Sequence, residues 1–233
     1  VKVLQVPERL YEYPKMLREN RSLFYNLSFT AEDKKKIKMY KQQVKRVAVK
    51  KEFSDIENYL ASLELKMTIF ENDESIIPRM SQMSQKTNQF NLTTNRYTEG
   101  DIKSFIENDN SKIIAFSVSD KFGDSGVTGL CIINFHDETQ SVEIDSLLMS
   151  CRIIGRNIEY AFIDYIIKII KEKKINVIKA KYIKTQKNEQ VNEFYDKCSF
   201  TLTESSNSVK NYNLDISNYE PKQINYIEVI NGK

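Results

Sequence analysis

The stretch Met149-Ser150-Cys151-Arg152-Ile153-Ile154-Gly155-Arg156-Asn157-Ile158 holds the residues best suited to chemistry. It follows an apolar, strand-like run and opens a segment with helical spacing. Arg152-x-x-Gly155-Arg156 at a strand-to-helix turn suits an anion. The N–H groups and positive dipole end of a helix attract phosphate, and Gly155 lets the backbone approach it closely. Two arginines add charge-assisted hydrogen bonds. The plainer alternative is a helix start with surface arginines. Cys151 precedes the first arginine near a helix N-terminus, a position that favours thiolate and so a nucleophile able to carry an acyl group. Its plainer reading is a small buried residue under the loop. On the preceding strand Glu143 and Asp145 alternate and face one side, and Asp145 offers a general base or simply a charge at a strand pairing. The block Lys86-Thr87-Asn88-Gln89-Phe90-Asn91-Leu92-Thr93-Thr94 is dense in amides and hydroxyls, which cost stability if buried without partners.

The elements that must position these residues follow from patterning. Val1–Val6 reads as a strand ended by Pro7, and residues 8–26 as a helix with aromatic anchors. Thr30 starts a helix running from about Glu32 to Val49, and Asp55 starts another to about Leu63. A lone strand with three helices cannot close a sheet, so residues 1–61 read as a mostly helical segment that docks on something else. From Leu65 the alternation of strands begins. A strand at 66–70 is followed by helices at 76–89 and 98–107, with a polar break at 91–94 between them. Strands at 113–120, 126–135 and 141–149 lead into a helix from Gly155 to about Lys173. That helix buries Ile158, Phe162, Tyr165, Ile166 and Ile169. A strand at 177–182, a short helix at 190–197 and strands at 200–203 and 210–214 complete the pattern. Residues 216–233 read as a loose polar tail. The expected class is α+β: a mixed, mostly antiparallel central sheet flanked by helices.

Composition narrows the function. The 233 residues carry 35 Lys and Arg against 32 Asp and Glu, a net charge of +3 with both signs mixed, which argues against a dedicated nucleic-acid binder. The single histidine, His136, nearly excludes His-based triads and multi-histidine metal sites, and no metal is expected. Cys131, Cys151 and Cys198 lie far apart with no Cys-x-x-Cys spacing, which with no signal peptide fits a reducing, cytoplasmic setting. No apolar run approaches the ~20 residues of a membrane span. A first residue of Val1 in a strand-like opening reads as a piece of a longer chain.

The Arg152–Asn157 loop resembles the pyrophosphate loop of the GNAT acyltransferase superfamily, Gln/Arg-x-x-Gly-x-Gly/Ala. The order β-α-α-β-β-β-α-β-α-β is the order of that fold. Four further blocks resemble the C-terminal half of FkbH-like proteins: Gln85–Thr94 with Arg96-Tyr97, Asp120-Lys121-Phe122-Gly123-Asp124-Ser125-Gly126, Leu148–Arg152 and Lys187-Asn188. They cover roughly residues 79–200, and residues 1–60 resemble that family's connector. The resemblance implies three parts: 1–61, the end of a HAD-like (HAD-IIIC) domain and connector; 62–215, a GNAT-like acyltransferase domain; and 216–233, a tail. It implies transfer of a glyceryl-type acyl group to the phosphopantetheine thiol of an acyl carrier protein in polyketide or related biosynthesis. The partners are then the carrier protein and an upstream HAD-like domain. The Asp-x-Asp-x-Thr motif of that domain is absent, so its phosphatase chemistry is not carried over. The resemblance further implies that Arg152, Gly155, Arg156 and Asn157 meet the phosphate of the carrier arm or of coenzyme A. It implies that Asn188 bonds the arm, that Tyr195 protonates a leaving thiolate, and that Asn88, Asn91, Thr93 and Thr94 line the acyl-acceptor cleft. Asn157 departs from the motif's final Gly/Ala, and its side chain crowds the backbone cradle. A non-catalytic carrier-docking module and a conventional acetyl-CoA-dependent N-acetyltransferase are the alternatives.

Overall fold

A computed structural model describes residues 4–24 and 31–232. The chain divides into two compact units, Val1–Val44 and Lys45–Lys233. In the first, α1 (Tyr13–Glu19) carries Pro14 in its first turn, where a missing N–H costs nothing, and short 3-10 turns at Leu10–Glu12 and Arg21–Phe24 flank it. These replace the single helix expected over 8–26, of which residues 25 and 26 lie outside the described residues. The opening strand expected over Val1–Val6 has its first three positions outside them too, and residues 4–6 carry no strand. Helix α2 covers Ala31–Lys50.

The second unit takes in the last residues of α2, from Lys45, and then α3 (Ile56–Ser62), whose first turn is closed by the Asp55 carboxylate accepting the Asn58 N–H. There follow β1 (Leu65–Glu71), α4 (Ile77–Lys86), β2 (Phe90–Asn91), α5 (Glu99–Glu107), β3 (Ser111–Asp120), β4 (Gly123–His136) and β5 (Ser141–Met149). Then come α6 (Ile158–Glu172), β6 (Val177–Ile183), α7 (Phe194–Lys197), β7 (Thr201–Ser205), β8 (Val209–Asp215) and β9 (Ile227–Asn231). A reciprocal pair of bonds between Thr98 and Asp101 starts α5, the capping box that the sequence spells out. Tyr59, Leu60 and Leu63, within or just after α3, are buried in the same core as the sheet, so the compact unit reaches back before the 61/62 boundary drawn from sequence.

The strands form one sheet in the order β7-β8-β6-β5-β4-β3-β1-β9, with β2 paired to β5. Only β5–β6 and β1–β9 run parallel, so the sheet is mixed and mostly antiparallel, as the patterning predicts. Successive side chains on a strand point to opposite faces, and two cores result. Ile113, Ala115, Leu130 and Ile132 pack with Met80 and Met83 of α4 and Ile102 of α5. On the other face Ile114, Phe116, Cys131 and Ile133 share a core with Ile158, Phe162, Ile163, Ile166 and Ile170 of α6. Tyr165 and Ile169, expected inside, are only partly buried against it. Gly129 admits the Phe116 ring: a Cβ there would lie 1.7 Å from it.

The segment read as a loose tail is ordered into a turn at Ile216–Asn218 and β9. The Gly232 N–H donates to the Ile69 carbonyl at 2.7 Å, and Lys66 pairs with Glu228 at 2.9 Å across the β1–β9 register. Five strand residues in polar surroundings carry too short an alternation to stand out. Among the described residues no helix is long and apolar enough to cross a membrane.

Candidate functional site

Strands β5 and β6 pair only over Ser141–Ile144 and Val177–Ala180. Across the neighbouring strand Ile133 faces Ile144 and Ile132 faces Ser146, which leaves Asp145 as an extra, unpaired residue. Such a bulge bends its strand and re-aims a side chain. Beyond it β5 departs from β6 and a gap opens. The Asp145 carboxylate accepts bonds from the Tyr97 hydroxyl, from the Ser146 hydroxyl at 2.9 Å and from the Asn95 amide at 3.4 Å. Burial first, and then the bond to Asp145, push the Tyr97 phenol well above its ordinary range, so it stays protonated and donates. Glu143 lies apart from this group, with Lys181 at 3.9 Å and His136 at 3.6 Å.

The gap is filled by the chain itself. Phe90 and Asn91 pair antiparallel with Met149 and Leu148. The Leu92 N–H donates to the Leu147 carbonyl at 3.1 Å, and the Leu92 carbonyl accepts from the Ile183 N–H at 2.8 Å. Leu92 thus bridges the two separated strands. The Thr93 hydroxyl donates to the Asp145 carbonyl at 2.9 Å. Asn188, fully buried, donates to the Asn91 and Ile183 carbonyls, both at 2.9 Å, and accepts from the Thr185 N–H and the Tyr182 hydroxyl. The side chain expected on a bound arm is therefore spent on the chain's own backbone. Asn91 is likewise fully buried and bonds the Thr87 carbonyl and the Thr94 N–H. The Asn88 amide oxygen accepts from Arg96, and Thr94, at φ 59°, bonds the Thr93 carbonyl. Of the four residues expected to line an acceptor cleft, Asn91 and Thr93 are buried and bonded within the chain's own loop, and only Asn88 and Thr94 are partly exposed.

After β5 a 3-10 turn, Cys151–Ile153, precedes α6, which starts at Ile158 rather than Gly155. Gly155 at φ 82° and Asn157 at φ 60° both take left-handed backbone, which delays the helix. Asn157 does not crowd the turn: its amide donates to the Tyr226 hydroxyl at 2.6 Å. Cys151, Arg152 and Gly155 lie at the surface. Cys151 is thus not the buried residue of its plainer reading. Arg156 points inward, 7 % exposed, which conflicts with a role on an external phosphate. Its guanidinium meets Asp120 at 3.4 Å and the Arg152 carbonyl at 3.2 Å. Asp120 also takes Arg46 in a two-point pair at 2.6 and 2.9 Å, and it accepts the Phe122 and Gly123 N–H groups of the β3–β4 turn. Burial first, then the Arg46 charge, push the Arg156 guanidinium below its ordinary value, against the pull of Asp120. Sequence reasoning missed this trio, whose members are far apart in the chain. The visible signal was an Asp heading a Gly-containing turn.

Tyr195 is 1 % exposed among Phe194, Phe200 and Tyr212, and its hydroxyl has no hydrogen-bond partner among the described residues. Burial pushes its phenol well above the usual range. In this arrangement it is a packing tyrosine with no path to a leaving group. Elsewhere, a groove of about 540 Å³ runs between α6 and residues 216–231, lined by Asp164, Lys168, Tyr219 and Val229 among others, and it contains none of the expected site residues.

No family model matches the sequence, and no curated protein matches it. Solved structures do. A SpeG spermidine N-acetyltransferase chimera from Vibrio cholerae and hSSAT aligns with a TM-score of 0.52 at 12 % identity, over 66 % of this chain and 97 % of that one. The ribosomal-protein-S18-alanine N-acetyltransferase from Escherichia coli aligns with a TM-score of 0.50 at 10 % identity, over 67 % and 97 %. At such identities the likeness is one of fold, and the fold is GNAT-like. An amide-bearing arm such as that of coenzyme A is the group that the resemblance implies for this gap. Its amides would need the unpaired backbone of the β5–β6 gap, much as an added strand does. Those positions are already bonded to residues 90–93, so the residues present do not fit such an arm in this arrangement.

Proposed function

We propose that this chain is the GNAT-like half of an FkbH-like protein and assists transfer of a glyceryl-type acyl group to the phosphopantetheine thiol of an acyl carrier protein in polyketide or related biosynthesis. The observation that supports this reading is the meeting of the resembling blocks. The block Gln85–Thr94 is bonded at the gap both to Leu148–Arg152, by strand pairing, and to Lys187-Asn188, through the Asn188 amide. The remaining block supplies Asp120, which holds Arg156 of the loop that follows Leu148–Arg152. On this reading exposed Arg152 and the N–H groups before α6 meet the carrier-arm phosphate, and Cys151 at the same rim is the nucleophile candidate. Asp145 with Tyr97 is the pair able to handle a proton beside the gap.

A second reading is favoured by particular observations. Tyr195 is sealed, Asp145 is already bonded to three neighbours, and the gap is filled. On that reading the GNAT-like domain docks the carrier protein and leaves the chemistry to a HAD-like domain. Calorimetric titration with a phosphopantetheinylated carrier protein, and separately with acetyl-CoA, tests both against an ordinary acetyltransferase. Carrier binding that Arg152→Ala weakens, with no acetyl-CoA binding, is the expected result. Tight acetyl-CoA binding without carrier affinity refutes both. With a HAD-like domain supplied, Asp145→Asn then separates the two: it lowers transfer if the GNAT-like domain is catalytic and leaves transfer unchanged if that domain only docks.

A further inference from the structure

We infer that residues 90–93 are a built-in competitor for an extended, amide-bearing arm, latched by Asn188, and that such an arm enters the β5–β6 gap only when this segment is withdrawn. The chemistry of the gap supports this. A linear ligand carrying two secondary amides, as pantetheine does, needs a row of free N–H and C=O groups on facing strand edges. Past Asp145 the inner edges of β5 and β6 offer the Leu147 carbonyl and the Ile183 N–H, and Leu92 takes both. The competitor is bonded as a strand and not merely laid in place: Phe90, Asn91, Leu92 and Thr93 are all buried, and the Phe90 ring meets Phe194 edge-on at 5.3 Å.

The latch is separate from the strand. Asn188 spans the Asn91 carbonyl on the inserted segment and the Ile183 carbonyl on β6, so it ties the segment to the strand from which it would part. The segment leaves through the connections to α4 and α5, where Arg96 fastens it to the Ser84 and Thr87 carbonyls at the end of α4. Withdrawal therefore bends the α4–α5 connection and takes β2 and Leu92 out of the sheet, while the β4–β5 and β6–β8 pairings do not depend on these bonds. The ligand's apparent affinity is lowered by the fraction of molecules in the withdrawn state.

The inference rests on the GNAT-like reading of the gap but not on the carrier-protein reading, and its test uses free coenzyme A and free pantetheine. Binding to the whole chain is measured by calorimetry for wild type and for Asn188→Ala, with Phe90→Ala as the substitute if the first does not fold. Amide hydrogen exchange follows Leu92 and Ile183. The expected result is slow exchange of both amides in the free protein, no measurable binding of either ligand by wild type, and measurable binding by the loosened variant, tighter than the wild-type limit by on the order of tenfold or more. Saturation with ligand then exposes the Leu92 amide. Three outcomes overturn the inference: equal affinity in wild type and variant, binding that leaves Leu92 protected, or a folded variant that binds neither ligand. Failure of the carrier reading would appear as absent carrier-protein binding, with these outcomes unchanged.

Discussion

Asp120→Ala is the sharpest single perturbation of this structure. The Asp120 side chain is 1 % exposed, and the guanidinium groups it serves belong to side chains 5 % and 9 % exposed. Without the carboxylate two buried positive charges face each other with no counter-charge between them. Breaking a buried pair by removing one partner costs about 3–5 kcal/mol. Two turn N–H groups also lose their acceptor, at about 1 kcal/mol each when water does not replace it. A total of about 5–7 kcal/mol, at about 2–4 °C per kcal/mol for a chain of this size, lowers Tm by about 10–28 °C. Urea unfolding followed by circular dichroism should show a lower midpoint with an unchanged slope. Asp120→Asn keeps the shape and part of the turn bonding and should fall between the two. The triple change Asp120→Leu, Arg46→Met, Arg156→Met removes every charge and should recover most of the loss. A Tm change under about 3 °C for Asp120→Ala, or a triple variant no better than the single one, refutes the view that the trio is a closed electrostatic unit.

Three further outcomes follow from the same geometry. Tyr195→Phe removes a buried hydroxyl without a partner, so stability should hold or rise by up to about 1 kcal/mol and carrier-dependent transfer should not change; a large loss of transfer with normal folding would return Tyr195 to the chemistry. Burial raises the Glu159 carboxyl, so the folded chain holds that proton more tightly than the unfolded chain does. This contribution is complete below the ordinary carboxylate pKa and is lost as pH rises through the folded value. Glu159→Gln should therefore be more stable than wild type at pH 7 and show less decline from pH 5 to 7 in thermal melts. Gly129→Ala drives a methyl into the Phe116 ring, which already sits 4.5 Å from Phe162, and should cost about 1–3 kcal/mol by denaturant titration; a neutral result would mean that the ring pair shifts freely.

Period and caps made the second unit largely legible. Strands β3, β4 and β5 show clear apolar patterning, and Thr98 and Asp101 announce α5. What escaped had no local signature. The two residues of β2 are too few for a period, and their partners lie at Leu148 and Met149, so a polar break turned out to be the inserted strand. The delayed start of α6 depends on left-handed backbone at Asn157, which an amide side chain allows but does not demand. Asp145 was legible as a carboxylate beside the site, but its aim was not, because the bulge is a matter of register against β4. Tyr195 and Arg156 show the same limit from the other side. Residue type and spacing suggested contact with a ligand, and the inward direction of the side chains was decided by partners that only the fold assembles.

The parallel ladder of β9 on β1 joins Leu65 to Ile227, the first and last strands of the sheet. Closing so long a loop costs chain entropy before any contact repays it, which makes such a ladder slow to form. Until it docks, β1 is a bare sheet edge beside the apolar wall of α6, the kind of surface that pairs with another chain. Five residues that add little to the core thus govern how long a newly folding molecule remains able to aggregate.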